Sequence, residues 1–128
     1  SELLVLCFDN KAWERNPQRY WRNAPQEVQD YLVPAIDAYY RDKPQVERDE
    51  GMRSCGLVGQ AIMLMAQELG YQTCPMDGFD FDAVARIINL PDDHSIAFMI
   101  AIGKGTKDPW PKPGQLELDE VMVSNRFD

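Results

Sequence analysis

The sequence is poor in the residues that build metal and redox motifs. Its three cysteines, Cys7, Cys55 and Cys74, form no Cys-x-x-Cys pair, and His94 is its single histidine. Zinc ligands usually come in closely spaced pairs, so the sequence predicts no metal site. Each cysteine lies in an apolar run, which favours buried, unreactive thiols in a reducing compartment. His94 follows Pro-Asp-Asp in a turn, where we expect a structural role.

Long apolar runs and an excess of basic charge are also lacking. No run approaches the roughly 18 to 20 residues that a membrane-spanning helix needs, and no signal-peptide pattern opens the chain. We therefore expect a cytoplasmic protein with no membrane partner. The 13 basic residues against 21 acidic ones give a net charge of -8, which repels a phosphate backbone. Residues 13–22 mix arginine with aromatic side chains but carry no RNA-binding motif, so we predict a partly core-facing helix surface and no nucleic-acid partner.

What is present is the composition of one ordinary globular domain. An apolar share of 45% with 27% charged residues lies far from the range of disordered chains. A length of 128 residues supports one core, and we predict a single domain over residues 1–128. The pattern predicts strands at residues 3–8, 71–75, 95–103 and 116–123. The continuous apolar run of residues 3–8 favours a central strand buried on both faces.

Helical periodicity predicts three helices between these strands. The first is capped by Asn23 and runs to Tyr40, with Pro34 kinking or dividing it. The second spans Met52 to Leu69, and the third spans residues 81–89 with Asp80 as a possible cap. A long surface loop follows over residues 104–115. The order of elements predicts an α+β fold, in which helices cover a small mixed sheet.

The helix from Met52 to Leu69 is apolar nearly all round, which predicts burial on most of its sides. Gly56 and Gly59 each cost about 1 kcal/mol relative to alanine inside a helix, so a close approach by another group should offset that cost. Two explanations stay open. One is tight packing in the core, and the other is a subunit interface or a wall beside a flat cofactor.

Several segments occur in an order that identifies a family resemblance. They are the glycine-containing helix of residues 52–70, the turn Thr73-Cys-Pro-Met-Asp-Gly-Phe-Asp80, the strand end Ile100-Ala-Ile-Gly103, and the early segment Trp13-Glu-Arg-Asn-Pro17. This ordered set resembles the C-terminal portion of the nitroreductase family. The resemblance covers nearly the whole chain, and it implies a nitroreductase-like fold whose N-terminal part, with its phosphate-holding stretch, is missing here.

The resemblance implies an FMN-dependent oxidoreductase that passes electrons from NAD(P)H to nitroaromatic or quinone-like acceptors. Pro75, Met76, Asp77 and Gly78 would line the isoalloxazine ring, and Lys112 would bind the FMN phosphate. Many family members carry a second basic residue where this chain has Gly114. No side chain is assigned to catalysis.

A flavin needs a few polar contacts at N5 and O4, which the backbone N–H groups of a tight turn can supply. Gly78 has no Cβ to hold the ring away from the main chain. The resemblance implies that Asp77 and Gly78 provide these backbone contacts. The alternative is a plain strand-to-helix turn with no ligand.

The resemblance also implies partners, namely a second copy packed through the helix from Met52 to Leu69 and a small-molecule oxidant. The terminal strand predicted at residues 116–123 would pack against that second copy. Two alternatives remain. The first is a non-catalytic module that binds flavin or another small ligand on the same fold. The second is an interaction domain whose methionine-rich helix docks a partner.

Overall fold

The computed structural model describes residues 1–127. Three strands alternate with helices along the chain. The elements in order are β1 (Glu2–Asp9), α1 (Ala12–Arg15), a 3-10 helix (Pro17–Tyr20), α2 (Gln26–Tyr40), α3 (Pro44–Glu68), β2 (Gln72–Met76), α4 (Phe81–Ile87), β3 (His94–Gly103) and α5 (Leu118–Val121). The fold is α+β, as predicted.

The three strands form one sheet in the order β1-β3-β2. Both strand pairs are antiparallel, so within residues 1–127 the sheet is purely antiparallel. The prediction of a mixed sheet is therefore wrong for this part of the fold. Leu4 lies opposite Ile100 in one pair, and Pro75 lies opposite Ile100 in the other. A register shift between Leu6 and Cys7 interrupts the first pair. β3 therefore has a neighbour on each side.

The central position belongs to β3, so the prediction that residues 3–8 form the central strand is wrong for this sheet. Met99 and Ile100 are consecutive and point to opposite faces, yet both are buried. In β1, Leu6 is buried while Leu3 is 54% exposed. A continuous apolar run thus marks an edge strand here, because apolarity alone does not say which strands pair.

The longest helix, α3, packs on all three strands and covers one face of the sheet. It begins at Pro44, eight residues before the predicted start, because its charged first turns are helical as well. Cys55 on α3 forms the buried core with Leu6 and Ile100. The outer surface of α3 is not buried in this chain, contrary to the expectation of burial on most sides. Its large apolar residues there are exposed: Leu57, Val58, Leu64 and Met65.

Proline shapes α2 differently from the prediction. Pro25, and not Asn23, occupies the N-cap position, where no side-chain hydrogen bond is made. Pro34 lies inside one continuous helix and does not divide it. Since proline has no N–H, the hydrogen bond from residue 34 to the Asp30 carbonyl is lost, but Pro34 is exposed and water can bind that carbonyl.

The predicted terminal strand at residues 116–123 is also wrong, because the structure has the short helix α5 there. Glu117 and Glu120 form a capping box, in which each side chain accepts a hydrogen bond from the other residue's backbone N–H. Local capping therefore decides the conformation of this segment, whose apolar residues had suggested a strand.

Two minor predictions fare differently. Cys55 is buried and Cys7 is half-buried, but Cys74 is exposed, so burial does not extend to all three thiols. His94 begins β3, and its Nδ1 lies 2.6 Å from Oδ1 of Asp93.

Within residues 1–127, the structure has no helix with the length and apolarity to cross a membrane.

Candidate functional site

The turn that joins β2 to α4 contains four of the five predicted cofactor-binding residues. Pro75 and Met76 end β2, where they pair with Ile100 and Met99 of β3. Asp77 and Gly78 follow directly and are exposed. The sheet therefore holds the start of the turn in place, while its tip projects into open space.

Interactions on the far side hold the turn against α4. The Asp80 side chain accepts a 2.9 Å hydrogen bond from the backbone N–H of Ala83, which caps the helix as predicted. The rings of Phe79 and Phe81 stack with their centroids 4.2 Å apart. The tip at Asp77 and Gly78 is thus fixed between a strand and a capped helix.

The tip offers unused hydrogen-bond donors. Among the turn, loop and side-chain hydrogen bonds of residues 1–127, none uses the N–H of Asp77 or Gly78. A Cβ added to Gly78 would meet no atom within 4 Å, and the residue's φ is not positive. Glycine is therefore required here neither by backbone conformation nor by contacts within the described chain. The unused N–H groups and the open space beside Gly78 are compatible with a planar ligand at this turn.

Lys112 lies in the extended segment after β3 and is exposed. Its Nζ is 3.2 Å from Oε1 of Gln115. In the described part of the chain, no hydrogen bond or ion pair joins Lys112 to residues 75–78. The structure thus places four predicted residues in one turn, and it shows no contact between them and the fifth.

A cavity of about 420 Å³ lies elsewhere, among β1, α1, the 3-10 helix, α2 and α3. None of its lining residues comes from residues 75–78. Five aromatic side chains contribute to its walls: Phe8, Trp13, Tyr20, Trp21 and Tyr40. The aromatic residues of 13–22 predicted only a partly core-facing helix surface. The sequence carries no local signal for the cavity, because its aromatic residues come from separate elements.

Glu47 is the best-buried acid beside this cavity, with a side chain 8% exposed. Its carboxylate accepts a 3.1 Å hydrogen bond from the indole N–H of Trp13 and lies 3.0 Å from Nζ of Lys11. Tyr40 stacks on Trp13 with the ring centroids 6.0 Å apart. Burial raises the pKa of the Tyr40 hydroxyl, and the nearby Glu50 raises it further. Tyr40 is therefore a neutral hydrogen-bonding group near neutral pH.

A second cluster joins the end of β1 to the start of β3. Candidate ligand atoms of Asp9, Asp93 and His94 lie within 4.8 Å of one another. The guanidinium of Arg15, however, pairs with both carboxylates. The hydrogen bond from His94 and the charge of Arg15 hold the pKa of Asp93 below its usual value. Arg15 thus already offsets part of the negative charge that would attract a cation.

Comparison with known proteins decides the family. The model of the nitroreductase family matches residues 3–104, which is most of the chain. The chain belongs to the nitroreductase family. The match includes the glycine-containing helix α3, the Pro75–Gly78 turn and all of β3, but it ends before Lys112.

Curated relatives agree with this assignment. Protein DrgA of Synechocystis sp. is 46% identical over 127 residues, which cover 95% of this chain and 60% of DrgA. MhqN of Bacillus subtilis, named as an NAD(P)H nitroreductase, is 42% identical over 110 residues, covering 81% of this chain and 53% of MhqN. The chain thus spans little more than half the length of these relatives.

Solved structures share the fold. The Bacillus subtilis protein ydfN, named as a nitroreductase, superposes with a TM-score of 0.83 at 28% identity, covering 95% of this chain and 62% of ydfN. A nitroreductase-like protein from Exiguobacterium sibiricum, whose structure contains FMN, gives a TM-score of 0.80 at 26% identity, with 94% of this chain and 60% of that one covered. The predicted nitroreductase-like fold is confirmed.

Proposed function

We propose that the protein is an FMN-dependent oxidoreductase that passes electrons from NAD(P)H to nitroaromatic or quinone-like acceptors. Family membership supports an oxidoreductase, and MhqN is named as an NAD(P)H nitroreductase. The Exiguobacterium relative is described in complex with FMN. The chain covers only part of each relative, so we propose this activity for the whole protein.

The observation that carries this proposal is the open tip of the β2–α4 turn. The N–H groups of Asp77 and Gly78 would donate to the N5 and O4 edge of the ring, and Pro75 and Met76 would lie along it. When bound, FMN supplies the hydride and electron chemistry. The chain's contribution is to orient the ring on a turn that the sheet and the Asp80 cap hold rigid.

Lys112 would donate a charge-assisted hydrogen bond to the FMN phosphate, and its exposed ammonium group is free to do so after leaving Gln115. Gly114, two residues later, adds no second cation. A single lysine binds the FMN phosphate more weakly than a pair of basic residues would. That departure favours the second candidate function, a non-catalytic module that binds flavin or another small ligand on the same fold.

The exposed face of α3 supports a homodimer as the working assembly. Four of its apolar side chains are more than half exposed: Leu57 at 75%, Val58 at 55%, and Leu64 and Met65 at 58% each. These residues lie within the helix that was predicted to pack against a second copy. Exposed apolar side chains on one helix are typical of an interaction surface, and a two-fold axis would bury them against the same residues of a second copy.

Adding FMN to the purified protein, then NADH or NADPH with menadione, tests the proposal. We expect the flavin absorbance bands to shift on binding, and we expect menadione to be reduced faster than with free FMN at the same concentration. Binding without turnover would support the non-catalytic module. Absence of flavin binding would contradict the oxidoreductase and a flavin-binding module, and it would favour a module for another small ligand or an interaction domain.

A further inference from the structure

The sequence contains a single Asp-Gly step, Asp77-Gly78, and no Asn-Gly step. An aspartyl carboxyl group can react with the nitrogen of the next residue, and glycine at that place has no Cβ to shield the nitrogen. Both residues are exposed and lie between β2 and α4, outside any helix or strand. The chain thus presents the most reactive kind of aspartyl peptide bond in an open turn.

Other contacts do not hold the reacting groups of this turn. Among the hydrogen bonds and ion pairs of residues 1–127, none includes the Asp77 carboxylate. The turn and loop hydrogen bonds of the same residues do not use the Gly78 N–H. A Cβ placed on Gly78 meets no atom within 4 Å, so the described chain leaves space beside that nitrogen. A reaction between the two groups therefore breaks no hydrogen bond of this kind.

Asp80, three residues later, has the opposite arrangement. Its carboxylate accepts the 2.9 Å hydrogen bond from the Ala83 N–H, which holds it over the start of α4. The next nitrogen belongs to Phe81, whose side chain stacks on Phe79. Asp80 is therefore an internal reference in the same segment, with its carboxylate bonded and its following nitrogen shielded.

We propose that Asp77 converts to isoaspartate in the flavin-free protein. The Gly78 nitrogen attacks Cγ of Asp77, and the protonated carboxyl group loses its OH, which leaves as water with the amide proton. The new C–N bond closes a succinimide ring. Water then adds OH to one of the two ring carbonyl carbons and a proton to the nitrogen, which breaks one C–N bond. Opening at Cγ restores aspartate, and opening at the main-chain carbonyl gives isoaspartate, with no oxidation or reduction in either step.

The modification would alter the turn to which we assign the flavin, and this consequence rests on the proposed function. Isoaspartate lengthens the main chain by one atom between Asp77 and Gly78 and leaves a free carboxylate on Cα of residue 77. The two backbone N–H groups then lose their spacing, so FMN affinity should fall at least about tenfold. A bound ring, in turn, would cover the Gly78 nitrogen and slow the attack. Flavin binding would thus protect its own site.

Incubation of the purified protein without flavin at neutral pH, followed by digestion, tests the proposal. Mass spectrometry with electron-transfer fragmentation locates isoaspartate, and a synthetic peptide of residues 71–83 gives the rate without the fold. We expect residue 77 to convert within about tenfold of the peptide's rate, and at least about tenfold faster than Asp80 in the folded chain.

Two variants test the chemistry. Asp77→Glu keeps the carboxylate, but its longer side chain would have to close a larger ring, so the isomer at residue 77 should disappear. Gly78→Val shields the nitrogen and should slow the conversion at least about tenfold. The added Cβ meets no atom of the described chain, so this variant should remain folded.

Isoaspartate that is absent from residue 77 once the peptide has converted would overturn the proposal without any substitution. Equal conversion of Asp77 and Asp80 would also overturn it. A parallel incubation with saturating FMN separates the modification from the flavin contact. Slower conversion with FMN would support both. Conversion of residue 77 at the same rate with and without FMN would support the modification and contradict only the flavin contact at this turn.

Discussion

Gly59 of α3 lies directly against the ring of Phe98 on β3, and the two residues fit only because Gly59 has no side chain. A Cβ built on Gly59 would overlap Cζ of Phe98 and lie 3.3 Å from Cδ2 of Leu6. Gly56, three residues earlier, is different, because a Cβ there would meet nothing within 4 Å. Of the two explanations for these glycines, core packing therefore holds for Gly59 and not for Gly56.

This difference predicts opposite effects of alanine at the two positions. Gly59→Ala should destabilise the fold by about 1–3 kcal/mol, since the Phe98 ring must move within a packed core. Gly56→Ala should be neutral or raise the free energy of unfolding by up to about 1 kcal/mol, because alanine favours the helix. Denaturant unfolding of both variants gives the comparison. Equal destabilisation at the two positions would contradict the packing described here.

Gly78 is the position at which flavin binding and folding can be separated. A valine there should leave the free energy of unfolding nearly unchanged, because the chain has no atom within 4 Å of the added Cβ. It should lower FMN affinity by about tenfold or more, since the branched side chain would hold the ring away from the turn. Flavin fluorescence titration and denaturant unfolding measure the two effects.

Asp77→Ala is the matched control at the same turn. The proposed contact uses the backbone N–H of Asp77, which alanine retains, so FMN affinity should change less than about threefold. If Asp77→Ala weakened binding as strongly as Gly78→Val, the carboxylate rather than the backbone would be the binding group. If neither variant affected binding, the ring would lie elsewhere.

The parts of the fold that the sequence predicted well are those governed by short-range chemistry. β2, α4 and β3 lie within two residues of their predicted limits at nearly every end. Asp80 caps α4 because an aspartate before a helical apolar pattern can accept from the third residue along, here Ala83. The Pro75–Gly78 turn was found for the same reason, since its residues are consecutive.

The parts that the sequence did not predict depend on distant residues. Leu3 to Phe8 is as apolar as β3, and only the pairing of both neighbours with β3 makes β1 an edge strand. The aromatic cavity joins Phe8 of β1, Trp13 of α1 and Tyr40 of α2, so no local spacing reveals it. Spacing also says nothing about whether Lys112 reaches the turn, since α4, β3 and an irregular segment lie between them.

Asp93 should make stability depend on pH in the acid range. The His94 hydrogen bond and the Arg15 charge lower the pKa of Asp93 in the folded protein. The stability from these contacts is therefore fully present above the unfolded pKa of about 3.9 and is lost as the pH falls through the lower folded value. Asp93→Asn should be less stable than the parent protein at neutral pH, with a difference that shrinks at acid pH.

Urea midpoints measured from pH 7 down to about pH 2.5 test this dependence. Asp92→Asn, at the exposed neighbouring position, should show a smaller difference from the parent with little change over the same range. A destabilisation by Asp93→Asn that stays constant with pH would mean that the side chain acts through shape and not through its ionisation.

Leu57 on α3 gives the sharpest test of the proposed homodimer. It is 75% exposed in the single chain, and in the proposed assembly it would be buried against a second copy. Leu57→Lys would place an ammonium group in an apolar interface twice, once from each subunit, so the dimer should dissociate at concentrations where the parent is dimeric. Light scattering during size-exclusion chromatography measures the mass.

Ile87→Lys is the control, because Ile87 on α4 is equally apolar and 78% exposed but lies outside the proposed interface. A parent protein that is monomeric at high concentration, or a dimer that tolerates Leu57→Lys and not Ile87→Lys, would show that α3 does not form the interface.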